Sequence, residues 1–189
     1  MKKKPPFNQN SAVRSAIRRV FSRSPIVRET MFKVRREVPK YNKDGSRAKK
    51  DAVQYQCGVC STWTKSTAIS VDHIEPVISV DDGFQDWNTF ISRVFCPITN
   101  LQVICDDCHQ KKTNKERFDR QFKQDQELIW SLENEMDCWD FEEARKSLKK
   151  FTPKKLLAYP KDFVDRILKL KLHLGKKTKN PSKTPKGNI

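Results

Sequence analysis

No run of about 18 apolar residues occurs in this chain, which excludes an ordinary membrane-spanning helix. The start, MKKKPPFNQN, has the positive charge of a secretory leader but lacks the apolar stretch that should follow it. Both absences predict an intracellular protein without a membrane partner. In that setting thiols stay reduced, and paired cysteines point to metal before disulfides. No internal repeat is present. Histidine is scarce, with three in 189 residues, so each one invites an explanation.

Acidic residues are scarce at the two ends. Residues 1–50 hold 16 Lys and Arg against 3 acids, residues 161–189 hold 9 against 2, and residues 51–160 hold 14 against 18. The net charge of +16 therefore sits on the flanks of a mildly acidic centre. Such a chain suits a core carried onto a polyanion by its ends, with affinity from phosphate neutralisation and counterion release. The competing reading of the same charge is solubility alone. A composition of 36% hydrophobic and 33% charged residues predicts a folded centre with looser basic ends.

Residues 1–10 read as a disordered lead. Ser11 is placed to cap a helix over 12–22, with Val13, Ile17 and Val20 on one face. Ser24-Pro25 breaks it, and Val27, Met31, Val34 and Val38 continue at helical spacing, with an end either helical or extended. The stretch PKYNKDGSRAKK reads as an exposed loop or hairpin tip, and VQYQC as a strand. A long helix is predicted near 110–136 and a shorter one over 141–150. Thr152-Pro153 opens another. Phe163, Ile167, Leu170 and Leu174 make a final amphipathic helix that Gly175 can end, although Leu168, Leu170, Leu172 and Leu174 also alternate as in a strand. The predicted organisation is a basic N-terminal extension over 1–50, a core over 51–117, a helical region over 118–175 and a disordered basic tail over 176–189.

Cys57 and Cys60 form one CxxC and Cys105 and Cys108 a second, with 44 residues between them. Two such knuckles suit tetrahedral Zn²⁺, and a structural zinc supplies roughly 10–16 kcal/mol of apparent binding energy to a small core. Two disulfides or plain buried thiols are the alternatives. Cys96 and Cys138 fit neither knuckle and read as small buried hydrophobes. His109 directly follows Cys108, so the two side chains diverge and His109 faces something else. The stretch VDHIEP offers Asp72 and His73 at the end of the apolar strand TAISV. His173 lies in an apolar helix and reads as structural.

The order CGVC, VDHIEP, NLQVICDDCHQKKT resembles the HNH nucleases over about residues 57–117. The tract GFQDWNTFISRVF with CHQKKTNKE is similar to the subgroup found in phage-encoded homing endonucleases. The resemblance implies an α+β fold with a ββα-metal core, structural zinc, flanking helices and hydrolysis of double-stranded DNA. His73, Asn100 and His109 would supply the H, N and H, with Asn88 a competitor for the second position. His73 would be the general base, because an unperturbed imidazole titrates near working pH. Asp72 and His109 would share one Mg²⁺ or Mn²⁺, as oxygen and nitrogen donors without thiolate suit those ions. Asn100 would fix the loop and orient the base, and Lys112 would touch a phosphate. Arg14, Arg18, Arg19, Arg23, Lys43, Arg47, Lys49 and Lys50 are the expected DNA contacts. A non-catalytic zinc module that binds nucleic acid is the alternative, and the residues leave the oligomeric state open.

Overall fold

Asn8, three residues ahead of the expected cap, opens the first helix. Its side chain accepts from the Ser11 N–H, and α1 runs Gln9–Phe21. This computed structural model describes residues 6–176, so the first residues of the basic lead and nearly all of the predicted tail lie outside the described residues. The expectation of a disordered lead through residue 10 and a Ser11 cap is corrected. Asn is as good a cap as Ser, and Gln9 and Asn10 extend the helix behind it. Helix α2, Pro25–Lys33, starts on Pro25, whose missing N–H costs nothing in a first turn.

The spacing of Val34 and Val38 fits a helix, but the chain extends there as β1, Arg35–Val38. It pairs antiparallel with β2, Ala52–Gln56, with Arg36 opposite Gln54 and Val38 opposite Ala52. The loop between them is the expected hairpin tip, closed by a bridge between Tyr41 and Arg47. Strand β3, Trp63–Lys65, completes this sheet in the order β1-β2-β3.

A separate two-stranded sheet joins β4, Ile69–His73, to β5, Leu101–Cys105, with His73 opposite Leu101 and Ile69 opposite Cys105. Between them lies α3, Trp87–Val94, capped by the Asp86 carboxylate. Strand β5 passes straight into α4, Asp106–Asn134, which begins ahead of the expected start at 110. Then come α5, Phe141–Lys149, the single turn α6, Pro153–Leu156, and α7, Lys161–Lys176. Thr152 caps α6 as expected. The helical reading of α7 wins over the alternating one. Phe163, Ile167, Leu170 and Leu174 are buried while Leu168 and Leu172 are exposed, a helical period that a strand would not produce. Gly175 lies inside α7 rather than ending it.

The architecture is α+β with small antiparallel sheets, and the chain divides into two compact units, Met1–Arg117 and Phe118–Ile189. The first is cored by Phe21, Val27, Val77, Phe90, Val94, Cys96 and Leu101, so α1 and α2 help build the packed interior. The second is cored by Ile129, Leu132, Leu148, Phe151, Phe163, Ile167 and Leu174, among others. Cys96 is buried as expected. Cys138 is exposed, because it ends a 3-10 turn at the surface. No helix among the described residues is long and apolar enough to cross a membrane.

Candidate metal centre and histidine site

The turn from β2 to β3 is the first cysteine knuckle. The N–H of Cys57 donates to the Thr62 carbonyl (2.9 Å) and that of Ser61 to the Cys57 carbonyl (2.9 Å). Closing so tight a turn puts Ser61 in the left-handed region at φ 59°, which an L residue other than Gly enters at a cost of about 1–2 kcal/mol. The Gly58 N–H donates to the Val103 carbonyl (2.8 Å), docking the knuckle on β5. Cys105 ends that strand and Cys108 lies in the first turn of α4, so the second pair straddles a strand-to-helix junction.

All four sulfur atoms lie within 4.8 Å of one another, and Cys60 and Cys105 sulfurs are 3.8 Å apart. Tetrahedral zinc with bonds of about 2.3 Å requires sulfur pairs about 3.8 Å apart, so the donor set fits the ion. Among the described residues this is the one cluster of three or more His, Cys, Asp or Glu donors close enough to hold a metal. The thiols are unequal. The Thr62 hydroxyl and backbone pull Cys60 down to about 6, while the Cys105 sulfur and burial push Cys108 up to about 12. Burial raises Cys57 too, but N–H groups of Cys60, Cys105 and Val59 outweigh it and hold the thiol below its ordinary value. Four crowded thiols cannot all ionise alone, and a bound dication removes that conflict.

At the end of β4 away from Cys105, the strand closes on Asp72 and His73, whose side chains alternate across it. The His73 Nε2 lies 3.0 Å from the Val94 carbonyl oxygen. A carbonyl only accepts, so Nε2 is the donor of this hydrogen bond, and Nδ1 is the ring nitrogen it leaves uncommitted. The Phe21 ring packs 5.0 Å from the imidazole, centroid to centroid. Asn100 braces the loop that follows. Its Oδ1 accepts from the Glu75 N–H (2.8 Å), its backbone carbonyl accepts from the Ile74 N–H (2.9 Å), and its Nδ2 reaches the Glu75 carbonyl at 3.5 Å. Asn88 is instead exposed in the first turn of α3.

His109 is half-buried in α4, one turn ahead of Lys112. The Lys112 ammonium bonds the Asp72 carboxylate (2.9 Å), the Glu116 carboxylate (2.6 Å) and the His73 carbonyl (2.8 Å). It thus ties α4 to the end of β4 and points inward, where a solvent-facing phosphate contact was expected. Burial pulls this lysine down, but Glu116 and Asp72 outweigh it and hold it above the ordinary value. Gln102 reaches the same Asp72 carboxylate at 3.5 Å.

The expected DNA contacts differ in how far they are engaged. Arg14 and Arg18 lie over the Phe84 and Phe90 rings, at 5.5 and 5.7 Å to the centroids. Arg19 and Arg23 are exposed on and after α1. On the β1–β2 hairpin Lys43 is exposed, and Arg35, Arg47, Lys49 and Lys50 line a cleft of about 500 Å³ with Glu37 and Asp51. Arg47 pairs with Asp51 at 3.3 Å and Arg35 with Glu37.

Three contributors to the histidine site carry no sequence signal of that role: the Val94 carbonyl, because any residue has one, Phe21, whose helical spacing says only that it is buried, and Glu116. No family model matches the chain, and comparison with curated proteins and with solved structures gives no match either.

Proposed function

We propose that the chain is a zinc-stabilised, metal-dependent endonuclease of the HNH type that hydrolyses DNA phosphodiester bonds, of the kind used by phage-encoded homing enzymes. The observation that carries the reading is the hydrogen bond from His73 Nε2 to the Val94 carbonyl. It fixes the tautomer that a general base needs. Nδ1 takes the proton from the attacking water, and the imidazolium that forms keeps its Nε2 proton on the carbonyl. Asn100 holds the chain immediately after the base through Ile74 and Glu75, which limits drift of the imidazole. The antiparallel pair β4-β5 running into α4 supports the same reading, because Lys112, on the helix that carries His109, reaches the Asp72 carboxylate and the His73 carbonyl.

Asp72 and His109 are the residues that would hold a catalytic Mg²⁺ or Mn²⁺. The carboxylate already accepts one cation, the Lys112 ammonium, which has Glu116 and the His73 carbonyl as other partners, so Asp72 gives up one contact of a shared set to take an ion. When bound, such an ion supplies Lewis-acid neutralisation of the phosphate and of the leaving oxygen. The basic surface of α1 and the β1–β2 hairpin supplies the phosphate contacts that the mildly acidic centre over 51–160 lacks.

A zinc module that binds nucleic acid without cutting it is the competing reading, and the Lys112–Asp72 ion pair is what favours it. Supercoiled plasmid incubated with the protein in EDTA, Mg²⁺ or Mn²⁺, beside His73→Ala, separates the two. The nuclease reading expects metal-dependent nicking or linearisation that falls about 10²–10⁴-fold in the variant with DNA binding kept. Intact plasmid in every metal, with binding retained, favours the module.

A further inference from the structure

The β1-β2-β3 sheet contributes no side chain to the buried clusters formed by the described residues. No residue in its three strands is fully buried. A sheet is ordinarily held by burying one face. This one docks on β5 through the Cys57–Cys60 knuckle, and its strand residues are half-buried or exposed. One face carries a row across all three strands, Arg36 opposite Gln54 opposite Lys65, flanked by Trp63.

Arg36 in that row is unusually fixed for an exposed arginine. Its guanidinium carbon sits 3.9 Å from the centroid of the Trp63 ring, and its Nε and Nη2 donate to Gln54 Oε1 at 3.0 and 2.7 Å. An arginine has two forks of parallel N–H groups. The side fork is committed to Gln54, which leaves the end fork of Nη1 and Nη2 for another acceptor. Because the arginine only donates, Gln54 must face it with oxygen, so the amide NH₂ of Gln54 is also left to donate outward. Such a planar fork, held in one orientation before any partner arrives, avoids the ordering cost that weakens contacts made by free side chains.

We infer that this face is a base-reading surface for duplex DNA, with Arg36 reading a guanine in the major groove. The inference rests on the DNA-directed reading given above. The end fork matches the paired O6 and N7 acceptors of guanine, and β-structure is one of the elements the major groove admits. The row spans two strand spacings, about 10 Å, against a groove about 12 Å wide. Charge agrees on the face itself, since Arg36 and Lys65 both lie on it, whereas Arg47, Lys49 and Lys50 line a cleft with Arg35, Glu37 and Val53 of the opposite face. No recognition helix is needed. A merely structural Arg36, shielding Trp63 from water, would fix stability and leave base preference untouched.

The test selects duplexes with a randomised centre on the full chain carrying His73→Ala, which binds without cutting, beside chains that add Arg36→Lys or Gln54→Ala. The wild-type protein is assayed for plasmid cleavage in Mg²⁺ and Mn²⁺ in parallel. Arg36→Lys keeps the charge and the stem but not the fork, and thermal melts confirm that each variant folds. The expected result is a guanine enriched about 5- to 100-fold at one position by the parent. That preference is lost with Arg36→Lys and weakened with Gln54→Ala, while the remaining positions and the salt dependence persist. The same guanine preference in Arg36→Lys overturns the inference, as does a uniform loss at every position. A parent that binds duplex tightly with no base enriched overturns it too, and plasmid cleavage in that case leaves the nuclease reading standing. A chain that neither binds duplex nor cuts plasmid removes both.

Discussion

The imidazole of His73 is held between two groups from different segments, the Val94 carbonyl at 3.0 Å and the Phe21 ring at 5.0 Å. The carbonyl ends α3 and fixes the tautomer. The ring ends α1 and limits tilt of the imidazole, and Phe95, next to Val94, packs edge-on to it at 5.7 Å. Helix α1 therefore does more than present arginines at the surface. Its last residue positions the candidate base.

Phe21→Leu separates these two roles. The substitution keeps an apolar side chain in the core, at a cost of about 1.5 kcal/mol or less. Cleavage is expected to fall about 10- to 100-fold through loss of alignment, while DNA affinity and its salt slope stay as they were. Plasmid cleavage rates beside binding isotherms at several salt concentrations check this. A matching fall in affinity would mean that α1 serves binding alone.

Lys112→Met removes the cation that now sits on Asp72. Lys112 is held above its ordinary value by Glu116 and Asp72 against the pull of burial, so it stays charged throughout the working pH range and competes with a divalent ion at all of it. Removing that competition at a partly buried carboxylate is expected to tighten Mn²⁺ binding about tenfold, equivalent to about 1.4 kcal/mol. Mn²⁺ titration followed by electron paramagnetic resonance measures it. Unchanged affinity would count against Asp72 as a ligand.

The cysteine cluster makes a prediction in protons. At neutral pH Cys60, at about 6, is mostly thiolate, whereas Cys108, at about 12, keeps its proton until a metal displaces it. Zinc binding is expected to release at least that one proton at pH 7.5, and more as the pH falls through 6 and Cys60 becomes protonated. Affinity therefore weakens toward acid. Calorimetry in buffers of different ionisation enthalpy counts the protons, and elemental analysis should find one zinc per chain. Because the Cys57–Cys60 knuckle anchors β2 and β3, stripping the metal should also raise amide exchange in both strands.

The sequence shows the four-cysteine cluster well because two CxxC pairs are a local signal, and the structure adds only that the four sulfurs meet. The helices of the second unit are legible for a similar reason, since Phe163, Ile167, Leu170 and Leu174 repeat with the helical period. Position 34–38 misleads because Val34 and Val38 carry helical spacing while pairing with β2, a long-range contact that periodicity does not contain, decides the conformation. Lys112 misleads for a related reason. Its helical position is clear, but the turn toward Asp72 depends on how β4 lies against α4. Arg36, Gln54 and Trp63 give no signal at all in sequence, because they meet only through the register of three strands.

Asp125 offers a prediction in the helical unit. It is fully buried, and it accepts from Lys150 (2.8 Å), Lys155 (3.0 Å), Gln121 (3.1 Å) and the Tyr159 hydroxyl. Burial alone would raise its pKa, but Lys150, Tyr159 and Lys155 outweigh that and hold the carboxyl below its ordinary value. A depressed folded-state pKa gives stability that is present above the unfolded value near 3.9 and is lost as pH falls through the folded value. Asp125→Asn keeps the shape and removes the charge, and is expected to cost about 3 kcal/mol at pH 7. That figure sits at the low end for a broken buried pair because Lys150 and Lys155 are partly exposed and regain water. At pH 3, below that unfolded value, the carboxyl of the unfolded chain is mostly protonated, and the gap between the two proteins should narrow. Urea unfolding of both at pH 7 and pH 3 measures the gap at each pH. An equal gap at both would mean that the hydrogen-bond geometry, and not the charge, is what the buried aspartate contributes.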